Sequence, residues 1–558
     1  MKRNYRNIHV PLRLERFFDK LNFTGLLFGS LFYCLSFLPS LMPRPWLFQG
    51  LISGTSLVSG YGIGVLVSML IRWFFQAELP RRFKKIAWYV ILLVAPALMV
   101  LFTILGNTWQ NDVARLIGQN TAKNHHSFRI VFVAVFIALA ILYTGRLVRI
   151  SNSYVIRKID TILPKRVSIL LSAILLFAIG SWIFSGVFVA NFVSASNRIY
   201  STKNATSPPG VTKPGSIFRS GGPESLIPWE TLGYQGKAFV GRGPTQDQLK
   251  AFTNGNVKQP IRVYSGVLSA PDAKQRAKLA VSELIRTKAF ERKVLVLATA
   301  TGTGWLEPQS TDSIEYMYGG DTAIVTQQYS YLPSWISFLV DKENATEAGQ
   351  ELFNAVYSEW SKLPRDSRPK LVAYGLSLGS FGGQSAYSGA QDVLLSTDGA
   401  IFVGTPSSTL LWKNISNQRS PGSPQWQPVY EDGRSVRFAS NNQEITNTTP
   451  TLNIPHILYL QHANDPVVWF SYDLLLHKPD WLAEKRGAGV SPSMRWYPIV
   501  TFLHVAVDQF FGSTVPIGQG HNYSNSMVSA WASVAQPEKW SSADTSRLQT
   551  IISAYALE

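Results

Sequence analysis

Residues 370–383 read Lys-Leu-Val-Ala-Tyr-Gly-Leu-Ser-Leu-Gly-Ser-Phe-Gly-Gly. Lys370–Tyr374 is a short apolar run of strand type, and the small residues from Leu378 onward suit a helix. Between them stands Gly375-Leu376-Ser377-Leu378-Gly379, a G-x-S-x-G pattern. In a strand–turn–helix context this pattern makes a sharp turn that lifts the serine hydroxyl above a sheet. Gly375 and Gly379 are needed because strand and helix approach with no room for a Cβ. Ser377 is therefore the candidate nucleophile. The helix start at Leu378 aims a backbone N–H at negative charge developing beside it.

Working outward, the same alternation continues on both sides. Lys237–Val240, Ile261–Leu268, Val294–Thr299, Thr322–Gln327, Ala400–Val403 and Ile457–Leu460 are expected strands. Asp272–Arg292, Glu347–Leu363, Tyr497–Phe511 and Asn525–Ala535 carry apolar residues at helical spacing. Strands alternating with helices imply an α/β domain whose mostly parallel sheet is covered on both faces. Such sheets place their chemistry at the carboxyl ends of the strands.

A serine nucleophile needs a base and an orienting acid. Beyond the N-terminal third, which holds His9, His125 and His126, the histidines are His456, His462, His477, His504 and His521. His521 ends the Gly-bearing loop Val515–His521 before a final helix, as expected for the order serine, acid, histidine. His462 directly follows a strand and is its rival. His504 lies in an apolar helical run, where packing explains it. Asp465 follows the Ile457–Leu460 strand and is the expected acid, with Asp432 and Asp473 as fallbacks. The oxyanion donors are expected from the Leu378 N–H and from the loop Ala300-Thr301-Gly302-Thr303-Gly304-Trp305, through Thr301 and Gly302. That loop lacks the third glycine and the following helix of a dinucleotide site. Residues 405–453, rich in Pro, Trp and Asn, read as a cap insertion or a surface insert, with Trp412 and Trp426 as apolar contacts.

The chain has 558 residues, more than one ordinary domain. Its net charge of +18 is concentrated in residues 1–194, which hold 21 of the 52 Lys and Arg but only 5 of the 34 Asp and Glu. That region also contains five apolar stretches, at 23–42, 51–75, 86–106, 128–148 and 167–192, each long enough to cross a bilayer. Positive charge alternates along the loops. Lys2, Arg3, Arg6, Arg13, Arg16 and Lys20 precede the first stretch. Arg81, Arg82, Lys84 and Lys85 follow the second. Arg146, Arg149, Arg157, Lys158, Lys165 and Arg166 follow the fourth. The intervening loops hold only Arg44, and Arg115 with Lys123. This asymmetry puts the N-terminus in the cytoplasm of a plasma (inner) membrane protein and the region after 194 outside. It also explains the basic balance without nucleic acid, which would require a basic stripe on the second domain. No acidic residue interrupts a stretch, so the region reads as an anchor rather than a proton relay. Gly54, Gly60, Gly62 and Gly64 suit close helix packing. The single cysteine, Cys34, excludes an internal disulfide and a cysteine-based metal site.

The expected organisation is an all-α transmembrane bundle of about five helices over 1–194, a linker over 195–235 and a catalytic domain over 236–558. The five-stretch region, Gly221-Gly-Pro-Glu-Ser225, the Ala300–Trp305 loop, the Gly375–Gly379 turn and Gly520-His521 resemble a bacterial family of membrane-anchored α/β-hydrolases. The resemblance covers nearly the whole chain. It implies the α/β-hydrolase fold and a triad of Ser377, Asp465 and His521, working without cofactor or metal. The expected activity is cleavage of an acyl ester of a lipid or cell-envelope substrate, through an acyl-enzyme. An acyltransferase using the same triad and a non-enzymatic membrane scaffold are the alternatives.

Overall fold

The computed structural model describes residues 21–75, 81–121, 126–162, 164–182, 186, 189–447 and 456–554. The tail bearing Lys2 to Lys20, together with Lys123 and His125, lies outside them. The chain forms two compact units.

The first unit comprises Met1–Phe177 with two later pieces, Tyr472–Leu482 and Val490–Asp508. Among the described residues, three of its helices are long and apolar enough to cross a membrane: Trp46–Phe74, Ile86–Leu116 and Ser127–Ile159. Five crossings were expected. Phe23–Leu35 is a shorter apolar helix, about 20 Å long at 1.5 Å per residue against a hydrocarbon core of about 30 Å, and the helix Lys165–Trp182, about 27 Å, carries the apolar segment Leu170–Trp182 and ends beside residues outside the described ones. Large apolar side chains point outward from the long helices, with Leu93 75% exposed and Phe136 63% exposed. Small and polar groups point inward. Gly54, Gly60 and Gly64 face neighbouring backbone so closely that a Cβ would fall 2.5 Å or less from a carbonyl oxygen, whereas Gly62 faces open space. Buried hydroxyls pair across helices, as in Tyr33 with Thr103 (2.9 Å) and Ser36 with Ser53 (2.7 Å). This inside-out arrangement suits an apolar solvent.

The two later pieces move the expected boundary, because residues 472–482 and 490–508 were assigned to the catalytic domain. Asp508 takes the N–H groups of Leu41 (3.0 Å) and Met42 (3.2 Å), and its buried carboxylate lies 3.8 Å from Arg44. His504 bonds the Ser36 carbonyl through Nε2 (2.9 Å). The helix expected over Tyr497–Phe511 is Val500–Asp508.

The second unit holds a seven-stranded sheet, all of whose pairs are parallel. Its strands are β1 (Ile261–Ser265), β2 (Val294–Thr299), β3 (Thr322–Gln327), β4 (Lys370–Leu376), β5 (Gly399–Val403), β6 (Val436–Ala439) and β7 (Ile457–Leu460). They lie side by side as β1-β3-β2-β4-β5-β7-β6. Almost every strand residue is buried, as a parallel sheet covered on both faces requires. The helix Ala273–Arg286 shows how the covering elements are written. Asp272 caps it by accepting from Gln275 N (2.7 Å), and Ala277, Ala280 and Leu284 turn inward.

One expected strand of this unit is a helix. Lys237–Val240 is part of a helix, Gly233–Gly241, and not a strand. Four apolar residues carry no decisive period, and burial of Gly236, Phe239 and Val240 follows a helical face. The stretch read as a cap or a surface insert, 405–453, contributes the edge strand β6, and Trp412 is buried with its Nε1 bonded to Gln461 (2.8 Å). Residues 448–453 lie outside the described ones. The chain makes edge strand β6 before inner strand β7, so Asp465 follows the last strand of the sheet.

Candidate active site

Ser377 stands between β4 and the helix Leu378–Gln384 with φ 56° and ψ −123°. A non-glycine residue there carries strain of order 1–3 kcal/mol, so its surroundings must impose it. They do so by backbone bonds from Ser377 N to Val403 O (2.8 Å) and from Phe381 N to Ser377 O (3.0 Å). Glycine is obligatory on either side. A Cβ on Gly375 would meet Gly379 O at 2.6 Å, and one on Gly379 would meet Thr299 O at 2.2 Å. Behind the turn, Ser380, Thr405, Gln384 and Tyr459 form a buried hydrogen-bonded chain that ties the helix to the ends of β5 and β7.

Asp465 is wholly buried five residues after β7, where it caps the short helix Pro466–Trp469. Its Oδ1 accepts from Val467 N (2.8 Å) and Val468 N (3.4 Å). Its Oδ2 accepts from His521 Nδ1 (2.6 Å) and from the Tyr523 hydroxyl (2.7 Å). All four bonds end on its acceptor oxygens. With its proton on Nδ1, neutral His521 presents Nε2 as an acceptor. That Nε2 is buried and has no hydrogen-bond partner among the described residues. The ring rests on Gly404, where φ is +53° and a Cβ would sit 2.5 Å from Cε1. His521 N also donates to Gly512 O (2.7 Å).

Tyr523 was not foreseen. Its hydroxyl donates to Asp465 and accepts from His462 N (3.0 Å). Burial, with the Asp465 charge beside it, holds the phenol far above its ordinary pKa, so it stays a donor. The spacing His521-Asn-Tyr523 offers no signal for this role, which exists only because the loop folds back on the acid.

His462 lies behind the pair. Its Nδ1 bonds Gly520 O (2.8 Å), its ring stacks on Tyr523 at 4.1 Å, and burial lowers its pKa. It positions the His521 loop and does not line the cavity beside Ser377. Of the other rivals, His456 is buried at the start of β7, Asp432 is exposed in a turn, and His477, Asp473 and His504 belong to the first unit.

Ser377 and His521 open on a cavity of about 250 Å³. Its apolar wall includes Trp305, Trp335, Phe338, Leu376, Leu378 and Val467, and its polar groups are Thr301, Ser334, Gln509 and Ser513. Among the described residues, His521 is the one titratable side chain on this wall.

The Leu378 N–H, at the first position of its helix, has no intrahelical acceptor. The other expected donors are spent. Thr301 N donates to Trp305 O (3.0 Å), and Gly302 N donates to Ser334 Oγ (3.2 Å). The 300–305 loop closes on itself and on the loop before Ser334, and these contacts lie too far apart in sequence to be foreseen.

Residues 261–548 match the model of a family described as an alpha/beta-hydrolase family, and residues 37–244 match the model of that family's N-terminus. No curated protein and no solved structure matches the chain.

Proposed function

The chain belongs to the alpha/beta-hydrolase family, and from that premise we propose that it is a membrane-anchored serine esterase acting on apolar acyl esters of lipids or the cell envelope. The observation that carries this reading is the bond of His521 Nδ1 to buried Asp465, which leaves Nε2 free on the cavity it shares with strained Ser377.

In this reading Ser377 Oγ attacks the ester carbonyl while His521 Nε2 takes its proton. The carbonyl oxygen becomes an oxyanion beside the Leu378 N–H. The tetrahedral species collapses, the C–O bond to the alcohol breaks, and His521 returns the proton to the leaving oxygen. Water then attacks the acyl-Ser377 ester, with His521 again acting as base, and the acid departs. Asp465 and Tyr523 hold the imidazole tautomer throughout.

The apolar wall suits a hydrocarbon acyl group, and nothing charged waits there for a charged side chain. Exposed Trp335, Leu339, Phe510 and Ile517 lie on or within a few residues of cavity-lining positions, with Trp335 and Phe510 in edge contact at 4.9 Å. Such groups favour a substrate presented by a bilayer. The test uses full-length protein in mixed micelles with p-nitrophenyl esters from acetate to laurate. Turnover rising with chain length and lost in His521→Ala is expected. Absent turnover, or turnover indifferent to His521→Ala, contradicts the reading.

For the orientation, loop charge favours a cytoplasmic N-terminus and an external second unit. From a cytoplasmic N-terminus the three long helices alone would leave residue 160, and the basic segment 146–166, outside; keeping that segment cytoplasmic and the second unit external needs residues 23–42 and 167–192 to cross as well. Protease digestion of intact spheroplasts decides this: cleavage of the second unit supports the reading, and its protection until lysis overturns it.

A further inference from the structure

The loop expected to supply a second oxyanion donor has neither of its expected N–H groups free. Thr301 N–H is held by Trp305 O, and Gly302 N–H is given to Ser334 Oγ. The approach of the two loops is built in, since a Cβ on Gly302 would lie 2.5 Å from Leu332 O and 2.9 Å from Ser334 N. Ser334 itself lines the cavity with Ser377 and Leu378. Its oxygen accepts from Gly302, and its own hydrogen has no protein acceptor among the described residues.

Building on the esterase reading above, we propose that the Ser334 hydroxyl is the second oxyanion donor, relaying the Gly302 N–H to the substrate. A hydroxyl that accepts from an N–H is polarised and donates more strongly. Its oxygen is fixed by the backbone, so it is organised before the charge develops, the property that makes an oxyanion donor effective. Gln509 and Ser513 also reach the cavity, but no hydrogen bond among the described residues fixes their side chains. The proton stays on Ser334 throughout, because the role is donation and not transfer. Such a donor acts on the transition state far more than on the bound ester.

The test compares wild type, Ser334→Ala and Ser334→Thr in detergent. It follows fluorophosphonate labelling, hydrolysis of a medium-chain p-nitrophenyl ester, and inhibition by an alkyl boronic acid that mimics the tetrahedral intermediate. Ser334→Ala is expected to lower kcat about 10- to 100-fold with KM within about twofold, and to weaken the boronate by a similar factor. The low end applies if the freed Gly302 N–H substitutes in part. Ser334→Thr, which keeps the hydroxyl, is expected to recover most of the loss. Unchanged kcat and boronate affinity in Ser334→Ala, or a loss confined to KM, overturns the proposal while leaving the esterase reading intact. Wild-type protein that neither labels at Ser377 nor cleaves the ester overturns both.

Discussion

The two units of this chain solve opposite packing problems. The sheet unit hides its apolar residues: β2, Val-Leu-Val-Leu-Ala-Thr, is buried along its whole length. The helical unit displays them, with Leu93, Phe132 and Phe136 turned outward and glycines and hydroxyls turned inward. One is built for water and the other for hydrocarbon, and the difference can be read from which side chains touch backbone. It also separates tasks. The strained serine, the buried acid and the imidazole nitrogen without a partner among the described residues all lie in the water-type unit, as do the described residues that line their cavity.

That separation breaks most visibly if chemistry is lost from the wrong unit. Asp465→Asn is expected to lower kcat about 10⁴-fold, because an amide cannot hold the imidazole in the required tautomer. Substituting Arg44 in the helical unit is expected to leave the ratio of kcat to labelled enzyme unchanged. A matching loss from Arg44→Met would abolish the division of labour.

Packing offers a second contrast. Leu297→Ala opens a hole in the sheet core and is expected to destabilise the second unit by about 2–5 kcal/mol. Leu93→Ala removes a side chain already outside its unit, and is expected to shift stability in detergent by less than about 0.5 kcal/mol. Denaturant titration of both variants checks the pair, and equal losses would mean that Leu93 is covered.

A smaller effect concerns pH. Burial pushes the Glu307 carboxyl up to about 8. Its folded-state pKa is thus above its unfolded value near 4.5, so the folded state holds the proton more tightly. The resulting stability is full below about pH 4.5 and is lost as pH rises through about 8. Glu307→Gln is expected to flatten this slope and to stabilise the second unit at pH 9 by about 1 kcal/mol or more. An unchanged slope in melting experiments between pH 5 and 9 would show that the carboxyl is hydrated.

Much of this architecture is legible in the sequence because it rests on local rules. β2, β3 and β7 coincide with their apolar runs, and the serine turn is announced by glycines that its geometry requires. What escapes is long-range or short. β6 has four residues inside a polar stretch, too few to show a period. Residues 490–508 join the helical unit through Asp508, which meets partners more than 460 positions away. Tyr523 and Ser334 become visible only once loops fold onto Asp465 and Gly302. The expected donors Thr301 and Gly302 fail for the same reason, since a free N–H in sequence is engaged in three dimensions.

The central claim is that Ser377 is an activated nucleophile served by His521. Membranes carrying wild type, Ser377→Ala and His521→Ala, treated with a fluorescent fluorophosphonate, test it most directly. A labelled band is expected in wild type, none in Ser377→Ala, and labelling slowed at least about 100-fold in His521→Ala. Equal labelling of all three, or none in wild type, would contradict it.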